Sequence, residues 1–161
     1  MRLTEVNFNF AKRVASAALL TATDKSGNVN TMTVSWGGSG ILWGREVCFV
    51  FVRPERHTYG FCEDGDTMSL SFFGNDKKDV LSFCGTKSGR DVDKFERCGL
   101  KYTIEDGACV FDGAEITVIL KKLYSQNLEK SCFTTDECMS FYQNGGFHKM
   151  YVCEIKDILQ G

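Results

Sequence analysis

Apolar and polar positions alternate along much of this chain with a period of two, in short segments separated by polar turns. Residues 17–24 read as a strand, Lys25-Ser26-Gly27-Asn28 as a turn and residues 29–36 as the partner strand, which together make a hairpin. Val47 to Val52 is apolar on both faces, so it is predicted to lie between two layers. Pro54, the only proline, holds Arg53 extended and ends that strand, and Thr58 is then expected to cap a short helix ending near Gly65. Thr67 to Phe73 alternates again, while Asp76 to Cys84 and Asp91 to Cys98 have helical spacing, the second stopping at Gly99. Ala114 to Tyr124 and Lys149 to Ile155 return to strand, with a polar, glycine-containing loop over 125–147 between them. Six or so strands with short helices inserted, and no regular β-α-β alternation, predict a mainly β fold: an antiparallel β-barrel with short helices, not a doubly wound parallel sheet. Gly37-Gly38-Ser39-Gly40 reads as a turn, because Ile41-Leu42-Trp43-Gly44 breaks the G-x-G-x-x-G spacing and no helix follows.

Composition narrows the function classes. With 161 residues, 43% hydrophobic content and thirteen Phe, the chain is expected to form a single domain over 1–161 with its own core. A net charge of −2 without blocks of like charge argues against nucleic acid or an anionic membrane as partner. No signal-peptide pattern or membrane-length apolar run is present, which predicts a cytoplasmic protein. Several of the eight cysteines fall inside apolar strand or helix patterns and read as small buried hydrophobes. Without a Cys-x-x-Cys pair, and with only His57 and His148 as imidazoles, no metal site is expected.

Two segments carry candidate chemistry. In Asn30-Thr31-Met32-Thr33-Val34-Ser35-Trp36 the side chains of Thr31, Thr33 and Ser35 share one face, able to hydrogen-bond, and Met32, Val34 and Trp36 share the other, able to pack. In Arg53-Pro54-Glu55-Arg56-His57-Thr58 two guanidinium groups, an imidazole and a hydroxyl crowd the end of a strand, an arrangement that an anion such as a nucleotide phosphate makes favourable. Each segment also has an ordinary reading, as a half-exposed strand and as a solvated turn. His57 is either a phosphate donor or a capping residue at a helix start. Lys94 reads equally as a solvated helix lysine, and Cys84 reads as a structural thiol because no resolving cysteine lies near it in sequence.

These two segments, with Cys84-Gly85-Thr86-Lys87-Ser88-Gly89-Arg90-Asp91-Val92-Asp93-Lys94-Phe95 and Gly146-Phe147-His148-Lys149-Met150-Tyr151-Val152-Cys153-Glu154-Ile155, occur in an order that resembles the flavin reductase-like family, which has the FMN-binding split-barrel fold and includes the flavoredoxins. The resemblance implies a homodimer with noncovalent FMN near the subunit interface. It implies NAD(P)H-dependent flavin oxidoreductase activity, with hydride passing from NADH or NADPH to flavin N5, or alternatively electron transfer through FMN reduced by a redox protein partner. By motif position, Thr31, Met32, Thr33, Ser35 and Trp36 would flank the isoalloxazine, and Arg53, Arg56, His57 and Thr58 would surround the phosphate. Ser88, Gly89 and Lys94 would form a second phosphate wall. His148 either approaches the flavin or nicotinamide or is a packed histidine with a backbone partner. The 125–147 loop departs from the family pattern, and Cys153 stands where glycine is common.

Overall fold

The computed structural model describes the whole chain, Met1–Gly161. Helix α1 (Phe10–Ala15) starts at Asn9, whose side chain accepts the Lys12 N–H at 2.9 Å, and it buries Phe10 and Val14. The hairpin β1 (Ala18–Thr23) and β2 (Val29–Val34) follows, its turn closed by the Asp24 carboxylate, which accepts from the N–H groups of Ser26 and Asn28. A second hairpin, β3 (Gly37–Leu42) with β4 (Arg45–Val52), leads into α2 (His57–Asp64) and β5 (Thr67–Phe72). Helices α3 (Lys78–Thr86) and α4 (Lys94–Arg97), the small hairpin β6 (Tyr102–Glu105) with β7 (Ala108–Phe111), and β8 (Ile116–Asn127) come next. A single turn of helix, α5 (Asp136–Met139), and β9 (Lys149–Gln160) complete the chain.

Seven strands form one antiparallel sheet in the order β2-β1-β5-β8-β9-β4-β3. Met32 and Val34 from one end of that order pack in the same buried cluster as Cys48, Val50 and Val52 from near the other, so the sheet curls into a barrel around a common core. β2 and β3 do not hydrogen-bond to each other. The barrel therefore has a seam, and Ser35 and Trp36, which join these two strands, lie at one end of it. A second cluster, built on Leu19, Leu81, Cys84, Cys109 and Phe111, packs α3 and the β6–β7 hairpin against the outside of the sheet.

The mainly β architecture follows the sequence reading, with five differences. Residues 37–40 are strand, because Gly37 lies so close to β4 that a Cβ there would sit 2.8 Å from the Phe49 carbonyl. The helix cap before α2 is Arg56, whose backbone is extended; Thr58 is inside the helix and 1% exposed. The strand through Thr31 stops at Val34, and the β6–β7 hairpin and α1 were not anticipated. All eight cysteines are free; Cys48, Cys62, Cys84, Cys109 and Cys153 are buried. No helix is long and apolar enough to cross a membrane.

Candidate functional site

Where α2 begins, the chain from the end of α3 to α4 wraps around its first turn and encloses a pocket of about 120 Å³. Arg56, His57 and Thr58 form one wall, and Thr86, Ser88, Gly89, Arg90 and Lys94 form the other. Arg56 donates to the Gly85 carbonyl at 2.9 Å and reaches the Cys84 carbonyl at 3.5 Å, which fixes its guanidinium across the end of α3. Arg90 donates to the Glu55 carbonyl at 3.1 Å. Burial lowers the Arg56 pKa, with Glu55 pulling it back, and burial followed by the charges of Arg90 and Lys94 lowers that of His57.

Lys94 has the most informative environment. It is 3% exposed and donates to the Thr31 carbonyl at 2.8 Å and the Cys84 carbonyl at 2.9 Å, yet no carboxylate pairs with it. Its pKa is lowered chiefly by desolvation, although the neighbouring Cys84 thiol acts the other way. A buried ammonium without a counter-charge costs several kcal/mol after relaxation, on the order of the penalty seen for buried ions generally. An anion in the pocket would offset that cost.

A second cleft of about 180 Å³ opens at the barrel seam, lined by Met32, Thr33, Ser35, Trp36, Phe51, Arg53 and His148. Gly85 of α3 touches a residue of each hollow: a Cβ on it would lie 3.3 Å from the Thr33 Cβ, and its carbonyl is the one held by Arg56. A more open hollow of about 490 Å³ near Trp43 and Arg45 pairs its charges internally, Arg45 with Glu154 at 2.7 Å and Lys156 with Glu154 at 3.6 Å.

The residues expected from sequence thus divide into two groups, with Arg53 and Thr31 departing from the roles expected of them. Arg56, His57, Thr58, Ser88, Gly89 and Lys94 come together in the small pocket; Met32, Thr33, Ser35, Trp36 and His148 line the seam cleft. Arg53 departs from the phosphate set: its guanidinium turns to the 125–147 loop, donating to the carbonyls of Phe141 at 3.0 Å and Gly146 at 3.2 Å. Thr31 is fully buried, its hydroxyl bonded to Thr21 Oγ1 at 3.0 Å and to the Leu20 carbonyl at 3.2 Å, so it offers a ligand no free hydroxyl. Thr33 likewise donates to the Leu81 carbonyl at 2.5 Å, and Thr58 accepts from Asn30 Nδ2 at 2.8 Å. The face of β2 that was expected to meet a ligand is roofed by α3 instead. Sequence reading missed Arg90, Thr86 and Asn30; the Ser88-Gly89-Arg90 turn signal was available for the first, and nothing local marked Asn30.

The small pocket suits a phosphate monoester. The N–H groups of Ser88 and Gly89 have no acceptor in the chain, and two of the three Lys94 protons are used internally. Gly89 has no room for a side chain, since a Cβ would clash with Asn30 Oδ1 and meet His57 Cδ2 at 3.0 Å. Two free backbone donors, a buried cation and the Arg56 guanidinium form an oriented anion cradle.

A sequence model of the flavin reductase like domain matches residues 11–160, and the chain belongs to that family. Among solved structures, an FMN-binding protein from Thermus thermophilus with bound p-hydroxybenzaldehyde is similar over 90% of this chain and 71% of that one, at 20% identity and a TM-score of 0.70. The flavoredoxin of Desulfovibrio vulgaris (Miyazaki F) is similar over 90% and 69%, at 18% identity and a TM-score of 0.70. An NADH:FAD oxidoreductase from Streptomyces globisporus C-1027, solved with NAD and FAD fragments, is similar over 93% and 80%, at 14% identity and a TM-score of 0.66. At these identities the likeness shows the fold, which is the split barrel expected from the sequence. No curated protein matches the chain in sequence. Family membership gives the protein a flavin-related redox role.

Proposed function

We propose that the protein is an NAD(P)H-dependent flavin oxidoreductase that binds FMN, with the phosphate in the Arg56–Lys94 pocket and the ring in the seam cleft. The carrying observation is the buried Lys94 ammonium beside the unbonded N–H groups of Ser88 and Gly89. FMN is favoured over FAD by charge, because a monoester phosphate brings up to two negative charges to one pocket and each phosphate of a dinucleotide brings one. When bound, the flavin supplies the redox chemistry, accepting hydride from NADH or NADPH and passing electrons on.

The chain's own residues bind and orient. Arg56 and Lys94 hold the phosphate, each charge-assisted bond contributing roughly 1.5–3 kcal/mol. β2 is an edge strand, so backbone groups between Thr33 and Ser35 are free of ladder partners on the cleft side and can meet the polar edge of a ring. Met32, Trp36 and Phe51 supply apolar surface for its flat face.

The proposal extends to a single flavin-binding domain over 1–161, a cytoplasmic location and a homodimer. The exposed side chains of Ile41, Trp43, Leu123 and Tyr124 support the last, since apolar surface of this kind favours association. A second reading, an FMN-carrying electron-transfer protein reduced by a redox protein, is favoured by the exposed Trp36 and Phe141, whose rings meet edge to face at 5.3 Å at the cleft. Anaerobic addition of NADH and NADPH to the FMN-loaded protein separates the two. Rapid bleaching of the flavin absorbance supports the oxidoreductase; indifference to both nucleotides, with bleaching by a reduced redox protein, refutes it in favour of the carrier.

A further inference from the structure

His148 lines the seam cleft with its ring 5.1 Å from that of Trp36. Its Nδ1 lies 2.7 Å from the hydroxyl of Tyr142, a residue from the loop that departs from the family pattern. Tyr142 is 7% exposed and firmly held: its ring stacks on Phe147 at 4.9 Å and 10°, and the Arg53 guanidinium covers it at 5.2 Å from the centroid. Arg53 is itself anchored to the carbonyls of Phe141 and Gly146, and Glu55 lies 3.9 Å from it.

This packing decides where the imidazole proton sits. Burial, followed by the Arg53 charge and opposed by Glu55, lowers the His148 pKa to about 4, and burial raises that of Tyr142; at neutral pH the ring is uncharged and the phenol keeps its hydrogen. Within the chain that hydrogen has only His148 Nδ1 as acceptor, and a bond in that direction leaves the imidazole proton on Nε2. Nε2 makes no hydrogen bond within the chain and is not sealed from solvent. A neutral donor is therefore presented on a ring that borders a cleft lined by both apolar side chains, Met32, Trp36 and Phe51, and polar ones, Thr33 and Ser35.

We infer that Tyr142 is a positioning residue that holds His148 as an Nε2–H donor to the carbonyl oxygen of a planar conjugated ring entering the seam cleft. The inference rests on the reading of that cleft given above. A nicotinamide carboxamide and a quinone acceptor share this chemistry. An uncharged N–H donor suits either carbonyl oxygen, and Arg53, the cation that lines the cleft, directs two of its N–H groups to the carbonyls of Phe141 and Gly146.

Nitrogen NMR of the histidine rings at neutral pH tests the arrangement on the flavin-free chain. The wild type is expected to show His148 protonated on Nε2, and Tyr142→Phe, which keeps the stacked ring, is expected to show mixed tautomers. A wild-type proton on Nδ1, or a tautomer unchanged by Tyr142→Phe, overturns the inference. Nicotinamide mononucleotide and a water-soluble naphthoquinone are then titrated separately, with and without FMN. A shift of the His148 Nε2 resonance with one of them identifies the ring class, and calorimetry is then expected to show that compound binding at least tenfold more weakly to His148→Phe and about threefold more weakly to Tyr142→Phe. No shift with either overturns the donor role. Failure of FMN to bind would refute the proposed function while leaving the tautomer result standing.

Discussion

Gly89→Ala is a steric test of the anion cradle. Gly89 is not in the left-handed region, so alanine meets no backbone penalty there, and its effect comes from the methyl group alone. That methyl would clash with Asn30 Oδ1 and lie 3.1 Å from Asn30 Cγ and 3.0 Å from His57 Cδ2. Asn30 is buried and cannot retreat without loosening its 2.8 Å bond to Thr58, whose hydroxyl is also buried. Overpacking of this kind costs about 1–3 kcal/mol, part of which the loop around Gly89 relieves by moving. Such movement displaces the two free N–H donors, so FMN affinity is expected to fall at least tenfold, or about 1.4 kcal/mol. Fluorescence titration gives the affinity, and urea unfolding separates it from global stability. Gly60→Ala, in open space on α2, is the control and should leave both unchanged or slightly improved. A Gly89→Ala protein that binds FMN as tightly as wild type would refute the cradle.

Lys94 and His148 give two linkage predictions. Burial lowers the folded pKa of Lys94 below the unfolded 10.5, so in the alkaline range between the two the unfolded chain binds more protons, and this group's contribution to stability rises with pH. A bound phosphate draws the proton back; FMN binding there should take up protons, seen as a buffer-dependent calorimetric enthalpy, and Lys94→Met should abolish the uptake. For His148 the unfolded value is 6.5 and the folded value about 4, so stability is whole above 6.5 and lost as pH falls towards 4. After allowance for partial solvent access the loss by pH 5 is about 1–2 kcal/mol. His148→Gln should lose that much less between pH 7 and pH 5 in urea unfolding, and an equal loss in both proteins would contradict the assignment.

Features written in local pattern were legible from the sequence. Period-two alternation revealed β2, β5, β8 and β9, the turn at 25–28 paired β1 with β2, a run apolar on both faces revealed β4, and the strand stop at Pro54 placed α2 just beyond it. β3 was missed because its glycines carry no side-chain alternation, although their close approach to β4 is what makes them necessary. The β6–β7 hairpin had a signal in Asp106-Gly107, both at positive φ, but its first strand is exposed throughout and shows no buried face. What the sequence could not display were contacts between distant segments: Lys94 on the Thr31 carbonyl, Asn30 beneath Gly89, Cys98 beside Cys84, and Tyr142 fixing His148. The orientation of Arg53 has the same origin, since its acceptors are carbonyls of a loop far along the chain.

The central claim, that the pocket beneath Arg56 and Lys94 holds a flavin's phosphate, is tested most directly by comparing FMN with riboflavin, which has the same ring and lacks the phosphate. With two charge-assisted contacts at roughly 1.5–3 kcal/mol each, FMN should bind at least a hundredfold more tightly, and Arg56→Ala should narrow that gap at least tenfold. Equal affinity for the two flavins, or a gap that Arg56→Ala leaves intact, would contradict the account.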